Sequence, residues 1–191
     1  MPLSKKIQIT FIIIALIWLV FMLNSILPIN LNQYGIIPRT TKGLIGILFA
    51  PFLHANLPHI ISNSIPLFVL TLSLFLFYEK QAVVVWLGVM LVGGFLVWLL
   101  AGLFSGSSVH VGASGVIYGL VAFFVASGIY QQSVKAILIS IVVIIVYGSL
   151  IFGIFTSQPR VSWQGHLFGA LAGLWMAYVF RKRRISKGNR S

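Results

Sequence analysis

Six apolar runs dominate the chain, at 7–27, 59–78, 82–104, 114–130, 135–155 and 163–180. Each is long enough, or nearly so, to cross about 30 Å of hydrocarbon at about 1.5 Å per helical residue. The pattern predicts an all-α membrane protein, a compact six-transmembrane-helix bundle. The stretch 28–58 is the only long connection. Pro28, Gly35, Pro38, Gly43, Gly46 and Pro51 break it too often for a straight span, yet Leu44 to Phe49 and Phe52-Leu53 are apolar. It reads as a long, partly helical interfacial loop between helices 1 and 2, lying at the outer surface. The opening Lys5-Lys6 and apolar run to Leu27 resemble a signal peptide. That run is too long for one and no small-x-small cleavage site follows, so it reads as a retained first span.

Composition agrees. Of 191 residues, 59% are hydrophobic and 7% charged, with a mean hydropathy of +1.06. A soluble domain this apolar would have an apolar surface, so lipid is the solvent for most of the chain. There is room for one domain, 1–184, followed by a short basic cytoplasmic tail, 185–191. Thirteen Lys and Arg face a single acid, Glu79, for a net charge of +12. The basic residues sit in clusters between apolar runs and line no face. That pattern sets topology and contacts anionic lipid headgroups at the basic tail; it does not fit nucleic acid. An even span count puts Lys5, Lys6, Lys80, Lys135 and six residues of the stretch Arg181 to Arg190 on one side. Arg39, Lys42 and Arg160 lie on the other. The bias makes both termini cytoplasmic. The absence of cysteine excludes disulfides, thiol catalysis and thiolate metal sites.

Polar side chains inside spans are candidates for function. Spans 2, 4 and 6 then run inward from the outer leaflet. His59 and Asn63 open the second, Ser114 the fourth and His166 the sixth, so the four share one depth. Ser114 would sit at a helix N-terminus, where free N–H groups and the helix dipole favour a developing negative charge. Gly115 and Gly119 on one helix, and Gly165, Gly169 and Gly173 on the other, would let the two backbones touch. Such glycines alone signify packing. Flanked by Ser114 and His166, they bring a nucleophile and a base within reach. Tyr118, one turn from Ser114, would stack on the imidazole. Asn56 caps the second span and Pro58 suits its first turn. His59 and Asn63 are four apart on one face, and Pro66 frees the Ser62 carbonyl. His110, four residues before Ser114, is a rival base, but the small, flexible stretch around it offers nothing to orient it, so it reads as a loop histidine.

Glu79 lies at the cytoplasmic end of span 2, roughly a membrane thickness from Ser114. A Ser-His-Asp triad is therefore ruled out, paired aspartates are absent, and no HExxH motif occurs. A Ser-His dyad remains, with no metal and no cofactor. Glu79 is expected to pair with Lys80 or to cap nearby backbone.

These residues resemble the rhomboid family. The family pattern HxxxxHxxxN is matched by His54, His59 and Asn63, and GxSG by Gly112, Ser114 and Gly115. An aromatic and a glycine follow, as Tyr118 and Gly119. HxxGxxxG is matched by His166, Gly169 and Gly173, and a helix-ending glutamate by Glu79. The resemblance covers about residues 50 to 180. It implies an intramembrane serine endopeptidase that cuts transmembrane protein substrates. Ser114 would be the nucleophile and His166 the base and then the acid. The Ser114 N–H, His59 and Asn63 would form the oxyanion hole. His54 would brace the first loop, and Tyr118 would support His166. The expected place is a bacterial cell membrane, crossed several times. One departure stands out: many members carry a Trp-Arg pair in the first loop, whereas residues 34–42 hold Arg39 and no Trp.

Two other classes remain. One is an inactive rhomboid-like protein that binds or escorts transmembrane clients, although such relatives typically lose the Ser or the His. The other is a small transporter, which the absence of outer acids and of matched broken helices disfavours. The sequence does not name the entry route of a peptide; a lateral opening near span 5, where 135–155 is apolar apart from small polar residues, is one that it allows.

Overall fold

The computed structural model describes residues 1–103, 108–155 and 162–181. Within them are seven α-helices: α1 (Leu3–Ile26), α2 (Thr41–Phe49), α3 (Leu57–Phe77), α4 (Ala82–Leu100), α5 (Ser114–Tyr130), α6 (Val134–Tyr147) and α7 (Trp163–Val179). The described residues hold no strand, only an isolated antiparallel bridge between Ile36 and His110. Each expected span corresponds to a helix, and the interfacial loop holds α2 between short 3-10 turns. Four segments are long and apolar enough to cross a membrane: Leu3–Ile26, Leu57–Phe77, Ala82–Leu103 and Val134–Ile154. The chain is an integral membrane protein by this measure. α5 and α7, at 17 residues each, are shorter. The basic tail 185–191 and Arg160 lie outside the described residues.

The helix starts follow local chemistry. Asn56, Thr40, Ser133 and Ser162 each accept a first-turn N–H into a side-chain oxygen, fixing where α3, α2, α6 and α7 begin. α5 is the exception, because Ala113 offers no side-chain cap. α5 is also the central helix. Leu120, Phe123 and Phe124 on it are fully buried, and residues from Val116 to Gly128 are covered on most sides.

α5 and α7 meet backbone to backbone. A β-carbon on Gly169 would strike the Gly115 carbonyl, and one on Gly173 the Gly119 carbonyl. In the reverse direction, a β-carbon on Gly119 would lie 2.8 Å from the Gly169 oxygen. Only glycine permits this approach, and between helices in lipid, close packing is a main source of association.

The first loop is held by α4. The Trp98 indole donates to the Thr40 carbonyl at 2.8 Å. The Arg39 N–H donates to the Trp98 carbonyl at 3.0 Å, and Arg39 Nε to the Leu99 carbonyl at 3.1 Å. The tryptophan that residues 34–42 lack is thus supplied from another element. Arg39 itself is in the left-handed region, at φ 58°.

Glu79 departs from expectation. It pairs with Lys6 at 2.5 Å and with the Met1 amino group, not with Lys80. The cause is the packing of α1 on α3, also marked by Trp18 Nε1 donating to Ser64 at 3.0 Å. That packing buries Lys6, which needs an anion. Hydrogen bonds from Lys6, and then from the amino terminus, pull the Glu79 carboxyl down to about 2.

Candidate active site

Ser114 is the first residue of α5. With no side-chain cap at Ala113, the leading N–H groups of the helix are left without the usual capping acceptor. Ser114, Tyr118, His166, His59 and Asn63 line one cavity of about 520 Å³, open on one side, with Asn56, Ser62, Ile117, Leu150 and Ser162 among its other walls. Ser114 and Ser162 also line a smaller, mostly apolar cavity of about 50 Å³.

His166 is held on two sides. The Tyr118 ring stacks on it at 4.0 Å between centroids, within 4° of parallel. Its Nδ1 lies 2.9 Å from the Gly153 carbonyl. A carbonyl only accepts, so Nδ1 carries the proton and Nε2 keeps the free lone pair. Gly153 belongs to the 3-10 run Gly148–Ile154 that extends α6. A β-carbon there would collide with the Tyr118 hydroxyl and lie 3.4 Å from His166 Nδ1. A backbone carbonyl therefore stands where a triad has its carboxylate. No sequence pattern marks a backbone oxygen; the only trace was a glycine late in an apolar run.

Ser114 and His166 share the cavity, and their helices touch. Among the described residues, no hydrogen bond joins them. The expected convergence is present at the level of helix and cavity, one step short of a bonded pair. Such bonds commonly tighten only when substrate arrives.

The histidine cluster is built on α3. Asn56 fixes its start by accepting the His59 N–H at 2.9 Å. His54 and His59 meet edge to face at 5.0 Å. The Asn63 amide donates to His54 Nε2 at 3.1 Å. Burial, then the neighbouring His59, pushes His54 down to about 4, so it is neutral at pH 7 and can accept this bond. The His54 side chain thus braces Asn63. Its tie to the first loop runs through the backbone instead, where Asn32 Nδ2 donates to the His54 carbonyl at 3.3 Å. Asn63 has a second amide proton left for the cavity.

Gly112 sits against this cluster. It has φ +116°, and a β-carbon would lie 2.6 Å from His59 Nε2. Both conformation and space require glycine. Its N–H donates to the Ala50 carbonyl at 2.8 Å, tying the turn before Ser114 to the first loop.

His110 is not the unoriented loop residue expected. It is 6% exposed, and its backbone exchanges both hydrogen bonds with Ile36, at 2.8 and 3.0 Å. Its Nδ1 lies 2.7 Å from Ser162 Oγ. Sequence alone gave it no partner because the partner lies 52 residues away. Ser162 was overlooked, although a serine just before an apolar helical run is a capping signal.

The Rhomboid domain profile matches residues 41–183. The chain belongs to the rhomboid family. Uncharacterized proteins of Mycobacterium bovis and Mycobacterium tuberculosis are each 38% identical over 187 residues, covering 91% of this chain and 76% of theirs. An uncharacterized Mycobacterium leprae protein is 36% identical over 182 residues, covering 91% and 72%.

Proposed function

We propose that this rhomboid-family chain is an intramembrane serine endopeptidase acting on membrane-spanning proteins. The observation that carries the reading is the state of His166. Stacked on Tyr118 and donating from Nδ1 to Gly153, it offers the Nε2 lone pair in the same cavity as Ser114. In the proposed reaction, Nε2 takes the Ser114 proton as Oγ attacks a peptide carbonyl. The carbonyl oxygen gains negative charge, stabilised by the Ser114 N–H, the α5 N-terminus, His59 and the free Asn63 proton. His166 then gives its proton to the leaving amine, and a water repeats the sequence to release the acyl group. No carboxylate takes part, so more of the stabilisation rests on the helix terminus and α3.

The reading includes six spans, with α5 and α7 crossing despite their length, in one domain over 1–184. It places both termini in the cytoplasm of a bacterium and the cavity near the outer leaflet. The Lys and Arg distribution supports that orientation, and the basic tail would rest on anionic headgroups.

A fluorophosphonate probe tests the chemistry. Wild type is labelled, and Ser114→Ala and His166→Ala are not; cleavage of a single-span substrate is lost in both. Labelling of Ser114→Ala at the wild-type rate would remove Ser114 as nucleophile. An unlabelled wild type that retains client binding would favour the non-catalytic alternative.

A further inference from the structure

We propose that His110 and Ser162 form a positioning clamp that sets the nucleophile-bearing turn against the base-bearing helix. The proposal rests on the serine-protease reading above but names residues that take no part in the bond chemistry. His110 is four residues before Ser114, and Ser162 is four before His166. Their side chains meet at 2.7 Å, Nδ1 to Oγ.

Each partner is fixed on its own element. The Ser162 hydroxyl accepts the Gly165 N–H at 3.0 Å, and the Ser162 carbonyl accepts the His166 N–H at 3.2 Å. Ser162 therefore sets the first turn of α7, the turn that carries His166. The hydroxyl can accept from Gly165 and still donate its single proton to His110 Nδ1, so one side chain serves both partners. On the other side, the double backbone bridge to Ile36 fixes His110. Through Val111, Gly112 and Ala113 it leads into Ser114, with Gly112 held at Ala50. The clamp thus joins the first loop, the approach to α5 and the start of α7 at one part-buried point. It lies above the α5–α7 glycine contact, which fixes the spacing of the helices but leaves the loop before Ser114 free to shift.

The role predicted is geometric. Loss of the clamp lets the two tops drift, and a misplacement of about 1 Å can cost on the order of 100-fold in rate. His110→Ala and Ser162→Ala should each slow fluorophosphonate labelling of Ser114 by roughly 10- to 100-fold per folded molecule. In substrate cleavage, kcat falls and KM stays near wild type. The double variant should be no slower than the slower single, because both remove one contact. Ser162→Thr, which keeps cap and hydroxyl, should restore most of the rate. Should His110→Ala fail to fold, His110→Phe, which keeps a ring but has no acceptor, takes its place. Wild-type labelling rates in the folded His110 variant, or losses that add in the double variant, would overturn the clamp.

The two failures are separable. If wild type is not labelled at all, the protease reading falls first. The clamp is then read by amide hydrogen exchange. In His110→Ala the Gly165 and His166 amides should exchange faster, although Ser162 and its cap remain. Unchanged exchange there rejects the clamp whatever the activity.

Discussion

α5 and α6 follow one another in the chain and are both strongly apolar, yet they live in different surroundings. On α5, ten of the residues between Val116 and Gly128 are buried; on α6 only Ala136, Ser140 and Val143 are. Composition explains the difference. α5 carries Gly115, Gly119, Ala122, Ala126 and Gly128, which let four other helices close around it. α6 is built from Ile and Val, whose branched side chains hold neighbours away and meet lipid equally well. Hydropathy makes both helices apolar; small residues decide which becomes the centre. The loosely covered helix nonetheless leads into Gly153, whose carbonyl accepts from the His166 ring. The cavity therefore has one tightly packed wall, α5 against α7, and one lightly held wall, the end of α6.

The sharpest way to break this comparison is to force the tight wall apart. Gly173→Val places a branched side chain against the Gly119 carbonyl, which as backbone cannot step aside. Overpacking of this kind costs about 1 to 3 kcal/mol or more. The expected result is a large fall in thermal stability in detergent and loss of labelling. Next comes the light wall. Gly153→Ala meets the Tyr118 hydroxyl and should displace the stacked pair, slowing Ser114 labelling by on the order of 100-fold with little loss of fold. Gly148→Ala, on the same 3-10 run, meets only Ile144 at 3.8 Å and should label normally. If both glycines tolerate alanine, the Gly153 carbonyl does not hold His166 in place.

Much of this arrangement was legible in the chain. The helices were, because lipid demands long apolar runs and breakers stand out between them. The convergence of His59, Asn63, Ser114 and His166 on one cavity was, because they stand near the starts of alternate helices, α3, α5 and α7. What stayed hidden depends on partners far away in sequence or on backbone atoms. The sequence offers Glu79 its neighbour Lys80 or nearby backbone, whereas the α1–α3 packing presents the buried Lys6. Trp98 anchors a loop 58 residues distant. His110 lacked an orienting group only until α7 folded beside it, and the Gly153 carbonyl carries no side chain by which to be noticed.

Acid should act first on the loops flanking the tight wall. His54 and His110 both sit at about 4 against an ordinary 6.5, chiefly through burial. Between those values the unfolded chain binds protons that the folded one does not. Stability therefore falls as pH drops from 6.5 and the loss is complete near 4. Each histidine contributes about 3 kcal/mol to that loss. Thermal midpoints measured from pH 8 to pH 4 should fall along this course, and less steeply in His54→Asn. A flat profile would mean that neither ring is as enclosed as its neighbours make it.

The smallest effect probes the lipid face itself. Ile145 on α6 is 77% exposed and Val143 is 6% exposed, two residues apart on opposite faces. Val143→Ala removes packed atoms from the core and should cost about 1 kcal/mol. Ile145→Ala removes more atoms, yet its side chain meets lipid in both the folded and the inserted, unpacked states, so the cost should stay within about 0.5 kcal/mol. The larger truncation giving the smaller effect is the signature of a helix with one bare side. Should Ile145→Ala cost as much as Val143→Ala, that side is covered in the membrane, and α6 is no longer the lightly held wall. Its end would then be as firmly covered as α5, and the contrast between the two walls of the cavity would fall.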